Sequence, residues 1–106
     1  MFRSRGKTVT ETDMLCISVG AVLEQLGYRG VINPGKVGFK PGYHLTVNRR
    51  TVDVCFLDDR AGDDLTRTQD EFADRVLPKL NDRFGAHRVR PKTMMGVRRG
   101  FEITLG

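Results

Sequence analysis

Apolar residues recur at three- and four-residue intervals in two segments of the chain. This spacing places the apolar side chains on one face of a helix, so each segment is predicted to form an amphipathic helix. The stripes consist of Leu15, Val19, Val22, Leu23 and Leu26 in the first segment, and of Phe72, Val76, Leu77, Leu80 and Phe84 in the second.

Polar residues just before the two stripes predict where the helices begin. Thr10 precedes Asp13 by three residues, and Thr68 precedes Glu71 by three residues. A threonine and a carboxylate at this spacing form a capping box, in which their side chains accept hydrogen bonds from the free N–H groups of the first turn. Both helices are therefore expected to start at a threonine.

Glycine and proline predict where the helices end or bend. Gly27 and Gly85 follow the two stripes, and glycine readily adopts the left-handed backbone conformation that closes a helix. Gly20 and Pro78 occupy the same position within the two stripes. Because proline removes a helical hydrogen bond, the second helix is expected to kink at Pro78 or to break near Leu77.

Strict alternation of apolar and polar residues predicts strands that are buried on one face. The apolar positions are Tyr43, Leu45 and Val47, then Val52, Val54 and Phe56, and finally Phe101, Ile103 and Leu105. Lys40-Pro41-Gly42 and Arg98-Arg99-Gly100 precede the first and last of these runs and are interpreted as tight turns that use the glycine. Residues 38–47 and 96–105 are thus predicted to be hairpins.

The two halves of the chain match when residues 8–48 are laid over residues 66–106. The matched positions include Gly27 with Gly85, Gly38 with Gly96, and Gly42 with Gly100. We expect a single α+β domain spanning residues 1–106, built from two helix-plus-hairpin repeats with an extra strand at 51–57. The sheet is predicted to be antiparallel, with about five strands, both helices on one face and an internal pseudo-two-fold axis.

The last strand is predicted to lie at an open edge of this sheet. The first repeat continues into a further strand, whereas residues 101–105 have no such continuation. An exposed apolar edge promotes association, so a homodimer through residues 101–105 is one expectation.

Charge indicates the class of partner. The chain has 106 residues and a formal net charge of +5, which fits an acidic partner such as nucleic acid. Its bases are concentrated at turns and at the starts of strands. The candidate phosphate-binding residues are Lys36, Lys40, Arg49, Arg50, Arg88, Arg90, Lys92, Arg98 and Arg99.

Symmetry sharpens that expectation. If the pseudo-two-fold axis is perpendicular to the sheet, the Arg49-Arg50 and Arg98-Arg99 turns lie on the same rim and form one basic surface. The leading hypothesis is a small nucleic-acid-binding or regulatory protein that contacts phosphates without reading sequence. The alternative is a protein-interaction module, an inhibitor or assembly protein, that docks on an acidic protein or pairs through its sheet edge.

No catalytic pattern stands out. His44 and His87 have no acid or nucleophile at a recognised spacing and are interpreted as surface residues. Asp53, Asp58 and Asp59 could converge on a divalent ion, but the preferred interpretation is a solvated turn. The protein is expected not to be an enzyme and to need no cofactor or metal.

Two further features concern location. Cys16 and Cys55 lack metal-binding spacing and are interpreted as reduced, at least partly buried thiols. The sequence shows neither a signal peptide nor an apolar run long enough to cross a membrane. A cytoplasmic location is therefore expected.

Overall fold

The computed structural model describes residues 10–32, 39–58, 62–94 and 97–106. The elements follow the order α1 (Glu11–Gln25), β1 (Gly42–Val47), β2 (Thr51–Leu57), α2 (Gly62–Phe84), a short 3-10 helix (Ala86–Arg88), β3 (Val89–Met94) and β4 (Val97–Thr104). The protein is thus α+β, with two long helices and a four-stranded antiparallel sheet.

Helix α1 has the predicted beginning and end. Thr10 is its N-cap, and the Thr10 hydroxyl accepts a hydrogen bond from the Asp13 N–H over 3.1 Å. The Asp13 carboxylate accepts one from the Thr10 N–H over 3.1 Å, which completes the capping box. Gly27, two residues after the helix, has φ +93°.

Helix α2 begins earlier than predicted. It starts at Gly62, with Asp63 and Asp64 in its first turn, where their negative charge complements the helix dipole. Thr68 therefore lies inside the helix, and its hydroxyl donates to the Asp64 carbonyl oxygen over 2.8 Å. The prediction of a capping box at Thr68 is wrong, because helical backbone groups already satisfy this turn. The helix also continues through Pro78, so it does not break near Leu77.

The sheet has the strand order β1-β2-β4-β3, which makes β4 a central strand. Ile103 in β4 pairs with Val52 on one side and with Val89 on the other. The prediction that residues 101–105 form an open edge is wrong, and a dimer through that edge has no structural basis. Strand β3 forms the edge on that side of the sheet. It contains Pro91 and Lys92, and a proline or a lysine on an edge strand disfavours pairing with a further strand.

The Arg98-Arg99-Gly100 turn is also absent. Strand β4 runs without interruption from Val97 to Thr104, and the hairpin connection lies before Val97. Gly42 likewise lies within β1 and has no positive φ. A Cβ atom at Gly42 would lie 2.6 Å from the backbone nitrogen of Val31, so close approach of the backbone, rather than a turn, requires glycine there.

The first predicted hairpin is replaced by two isolated bridges in the described part of the chain. Gly30 pairs with Tyr43 and Ile32 with Lys40, while residues 33–38 lie outside the described residues. The five-stranded sheet and the internal duplication are not confirmed. The alignment of the two halves equates β1 with β4. In the sheet order, however, β1 lies beside β2 alone, whereas β4 is a central strand.

Both helices pack on one face of the sheet. The core joins three residues of α1 and five of α2 to alternate residues of the strands. Its members are Leu15, Val19 and Leu23; Phe72, Ala73, Val76, Leu80 and Phe84; and Val52, Val54, Phe56, Val89, Phe101 and Ile103. The opposite face carries polar side chains such as His44, Asp53 and Glu102, together with the buried Cys55. Within the described ranges, neither helix is long and apolar enough to span a bilayer.

Candidate nucleic-acid interface

The β1–β2 turn presents Arg49 and Arg50 at one end of the sheet. The Arg49 carbonyl oxygen accepts a hydrogen bond from the Thr12 hydroxyl over 2.9 Å, and the Arg50 carbonyl oxygen accepts one from the Leu105 N–H over 3.0 Å. Both arginines are exposed. The backbone of the turn is therefore tied to α1 and to the end of β4, while the guanidinium groups face solvent.

Arg88 lies on the other side of the same strand end. Its Nε donates to the Thr104 carbonyl oxygen over 2.9 Å, and its guanidinium lies 5.9 Å from the centre of the Phe84 ring. The guanidinium of Arg83 lies 5.2 Å from the same ring. The aromatic ring thus holds two arginines beside the end of β4 through cation–π contacts.

Arg90 adds a fifth cation, two residues farther along the chain in β3, and its side chain is exposed. We call the set Arg49, Arg50, Arg83, Arg88 and Arg90 the arginine end. Among the residues that the structure describes, no carboxylate forms an ion pair with any of these five. Their charge is therefore directed outward.

Arg99 differs from this group. It donates to the Asp70 carboxylate over 3.1 Å and to the Asp74 carboxylate over 3.3 Å, so two acids of α2 hold it against the helix. The hydrogen bond to Asp70, together with Asp74, raises the pKa of Arg99 despite some desolvation. Arg99 fastens β4 to α2.

Strand register places Arg99 far from the arginine end. Thr51 pairs with Thr104 and Val54 with Phe101, so Arg99 lies toward the other end of β4. At about 3.3 Å per residue, it is roughly 20 Å from the Arg50 turn. The hypothesis of one rim formed by Arg49, Arg50, Arg98 and Arg99 is therefore wrong. The side chain of Arg98 lies outside what the structure describes.

Lys92 is also engaged, on the polar face of the sheet. Its ammonium donates to Asp53 Oδ2 over 2.8 Å and to Glu102 Oε2 over 3.4 Å. The pKa of Lys92 is raised, chiefly by the hydrogen bond to Asp53. Desolvation opposes this rise, and the charge of Asp53 and the interaction with Glu102 add to it. Asn48 also donates to Asp53 Oδ2, over 3.1 Å. Lys92 thus neutralises a buried carboxylate within the fold.

The other predicted cations are separate from this end. Lys40 is exposed and precedes β1, whereas Arg49 follows β1, so the length of a strand separates them. Lys36 lies outside the described residues. Conversely, sequence reasoning missed Arg83, although its position in the last turn of α2, five residues before Arg88, could have indicated a shared surface.

The described residues contain no group of three or more His, Cys, Asp or Glu side chains that could hold a metal, and Asp59 lies outside them. Both cysteines are free. Cys55 is buried and Cys16 is half-buried, which agrees with the burial predicted for them. Burial and the nearby Asp53 raise the pKa of Cys55 to about 11, so this thiol stays protonated near neutral pH.

No protein-family model, no curated protein and no solved structure matches this chain.

Proposed function

We propose that the protein binds nucleic acid through sequence-independent phosphate contacts made by the arginine end. One observation carries the proposal: five arginines surround the end of β4, and no described carboxylate pairs with them. Guanidinium groups form paired hydrogen bonds to phosphate oxygens, which makes arginine well suited to this contact.

The anchoring of this end supports the proposal. The turn of Arg49 and Arg50 is held by Thr12 and Leu105, and Arg88 is held by Thr104. Because the backbone is already ordered, phosphate binding immobilises the side chains alone, which lowers the entropic cost of association. The proposed role is non-enzymatic. Free cysteines fit the cytoplasmic location expected from the sequence.

Salt dependence tests the proposal. Each phosphate contact contributes about 0.9 to the slope of log affinity against log salt, so four contacts predict a loss of about 100-fold between 50 and 200 mM salt. Binding of a labelled DNA duplex and a labelled single strand would be measured by fluorescence anisotropy. A flat salt dependence, or no binding at the lowest salt, would refute phosphate contact as the source of affinity.

A matched pair of variants locates the contact. Arg49→Ala/Arg50→Ala/Arg90→Ala removes three exposed arginines from the arginine end and should lower the slope by about 2.7. Arg29→Ala/Lys40→Ala/Arg67→Ala removes the same charge from other exposed positions and should change the slope by less than about 1. Equal losses in both variants would mean that net charge, and not the arginine end, determines binding.

The alternative role, docking on an acidic protein, is favoured by a different surface. Met14 and Ile17 in α1 are large apolar residues that remain 56% and 64% exposed. Met14 lies at the seam between the two helices, whereas Ile17 lies on another exposed side of α1.

A further inference from the structure

A groove follows the seam between α1 and α2. Near the beginning of α1 it is a depression of about 330 Å³, where Met14 and Leu15 face Arg83 and Phe84. Near the end of α1 it continues as a depression of about 240 Å³, where Val22 and Leu26 face Lys79. The helices are therefore antiparallel. The lining positions of α1 recur at helical spacing, so the two depressions form one line.

The α1 wall of this groove combines apolar and polar residues. Its apolar members are Met14, Leu15, Val22 and Leu26, of which Met14 is 56% exposed. Leu15 and Leu105 lie at its floor. Isolated apolar residues are common on protein surfaces, but an exposed apolar side chain at the rim of a depression that other apolar residues line is typical of a contact surface.

The α2 wall is basic. Lys79 lines the second depression, and Arg83 and Arg88 line the first. Within the described ranges, none of these three cations forms an ion pair. Glu11, which lies at the end of the groove, reduces the positive charge only locally. A partner that fills the groove therefore has to supply both apolar side chains and negative charge.

We propose that this seam groove binds an acidic amphipathic helix of a protein partner. The fifteen residues of α1 extend about 22 Å at 1.5 Å per residue, which suits three to four turns of a bound helix. Apolar residues of that helix at i, i+3 or i+4, and i+7 pack on Met14, Leu15 and Leu105. Its carboxylates face Lys79 and Arg83.

One observation favours a peptide over a nucleic-acid strand in this groove. Single-stranded nucleic acid gains much of its affinity by stacking bases on exposed aromatic rings. The Phe84 ring is only 7% exposed and is already covered by Arg83 and Arg88. The groove shares Arg83 and Arg88 with the arginine end, whereas Arg49, Arg50 and Arg90 do not line it. Substitutions at these three positions therefore test the phosphate contacts separately from the groove.

Peptides of defined pattern test the inference. The probes are a labelled helical peptide with leucine at i, i+3, i+4 and i+7 and glutamate on the opposite face, a scrambled peptide of identical composition, and the same amphipathic pattern with lysine in place of glutamate. Anisotropy titrations with the full chain should show binding of the acidic amphipathic peptide at least tenfold tighter than that of either control. Equal binding of the scrambled peptide, or no saturable binding, would overturn the inference.

Variants locate the site. Lys79→Gln/Arg83→Gln and, separately, Met14→Glu should each weaken peptide binding at least tenfold, with circular dichroism showing an unchanged fold. Arg49→Gln/Arg50→Gln removes the same charge as the first variant and should leave peptide affinity within twofold. If Met14→Glu, which leaves the arginine end intact, instead abolishes single-strand binding or changes the oligomeric state of the free protein, the groove has another occupant and the inference is wrong.

Discussion

Two Arg-Arg pairs look alike in the sequence but belong to different environments. Arg49 and Arg50 form a turn whose backbone is anchored by Thr12 and Leu105, and both side chains face solvent. Arg99, in the second pair, lies in a strand and donates to two carboxylates of α2. A basic dipeptide is available to a ligand only if the neighbouring element does not already neutralise it.

The carboxylates explain the difference. Asp70 and Asp74 are four residues apart on α2, so they lie on one face of the helix and flank the same guanidinium. No element of the described chain brings a comparable pair to Arg49 and Arg50. The molecule therefore has one end where arginines are free and another where Arg99 is part of the fold.

The largest predicted effect separates these two ends directly. Arg49→Ala/Arg50→Ala should lower duplex affinity at least tenfold at low salt and reduce the salt slope by about 1.8, because two phosphate contacts are lost. Arg67→Ala/Arg99→Ala removes equal charge from two arginines that are already ion-paired, and affinity should stay within threefold. Anisotropy titrations check both. A larger loss of duplex affinity in Arg67→Ala/Arg99→Ala than in Arg49→Ala/Arg50→Ala would contradict the proposed difference between the two ends.

The same contrast exists within β3, between Arg90 and Lys92. Arg90→Ala should weaken duplex binding and leave thermal stability unchanged, whereas Lys92→Ala should lower the melting temperature by several degrees. The reason is that Lys92 neutralises Asp53, which is only 8% exposed. Thermal denaturation followed by circular dichroism checks the difference. Equal melting temperatures for the two variants would contradict the role of Lys92 in stabilising the fold.

The Lys92 pair also predicts a pH dependence. Its pKa is raised in the folded state, so the fold favours the charged amine. The stabilisation should be complete below the ordinary lysine pKa of about 10.4 and disappear as pH rises through the higher folded value. The melting-temperature difference between the protein and Lys92→Ala should therefore shrink above that pH. A difference that persists at high pH would mean that packing, and not charge, is responsible.

Anchoring of the arginine turn gives a smaller effect. Thr12 is 3% exposed and donates to the Arg49 carbonyl oxygen. Thr12→Val keeps the shape but leaves that carbonyl without its partner, so the free energy of unfolding should fall by about 1–2 kcal/mol. Because the turn becomes looser, duplex affinity should fall about threefold or less. Thr12→Ser, which keeps the hydroxyl, is the control. Identical affinities for both variants would show that the turn needs no anchor.

Release of Arg99 should have the smallest effect. Asp70→Asn/Asp74→Asn removes exposed ion pairs, whose loss typically costs about 0.2–1 kcal/mol each. The freed arginine is far from the arginine end and should raise duplex affinity less than threefold. Urea denaturation and anisotropy check the two quantities. A tenfold rise in affinity would show that any free arginine serves equally well.

Local signals in the sequence predicted the local structure well. The spacing of Thr10 and Asp13 located the start of α1, and the glycines at positions 27 and 85 marked where the helices close. Such signals succeed because capping and left-handed turns depend on a few adjacent residues. Thr68 was misleading because a threonine can also donate to a carbonyl one turn earlier inside a helix.

Pairing between distant segments was harder to predict. Gly100 resembles a turn residue, yet it lies in a central strand opposite Lys92. The availability of the arginines depends in the same way on distant residues, since the acids that bind Arg99 lie 29 and 25 positions earlier. A predicted turn position thus coincides with exposure of Arg49 and Arg50, whereas Arg99 lies in a strand and is bound by two carboxylates. No pattern within one element distinguishes the two cases.

The most direct test is to follow the arginine Nε–H signals in a heteronuclear NMR spectrum while a short DNA duplex is added. The account predicts that the signals of Arg49, Arg50 and Arg90 shift progressively and saturate together, whereas the Arg99 signal stays in place. Shifts centred on Arg99 and its neighbours in α2, with the arginine end unchanged, would contradict the account.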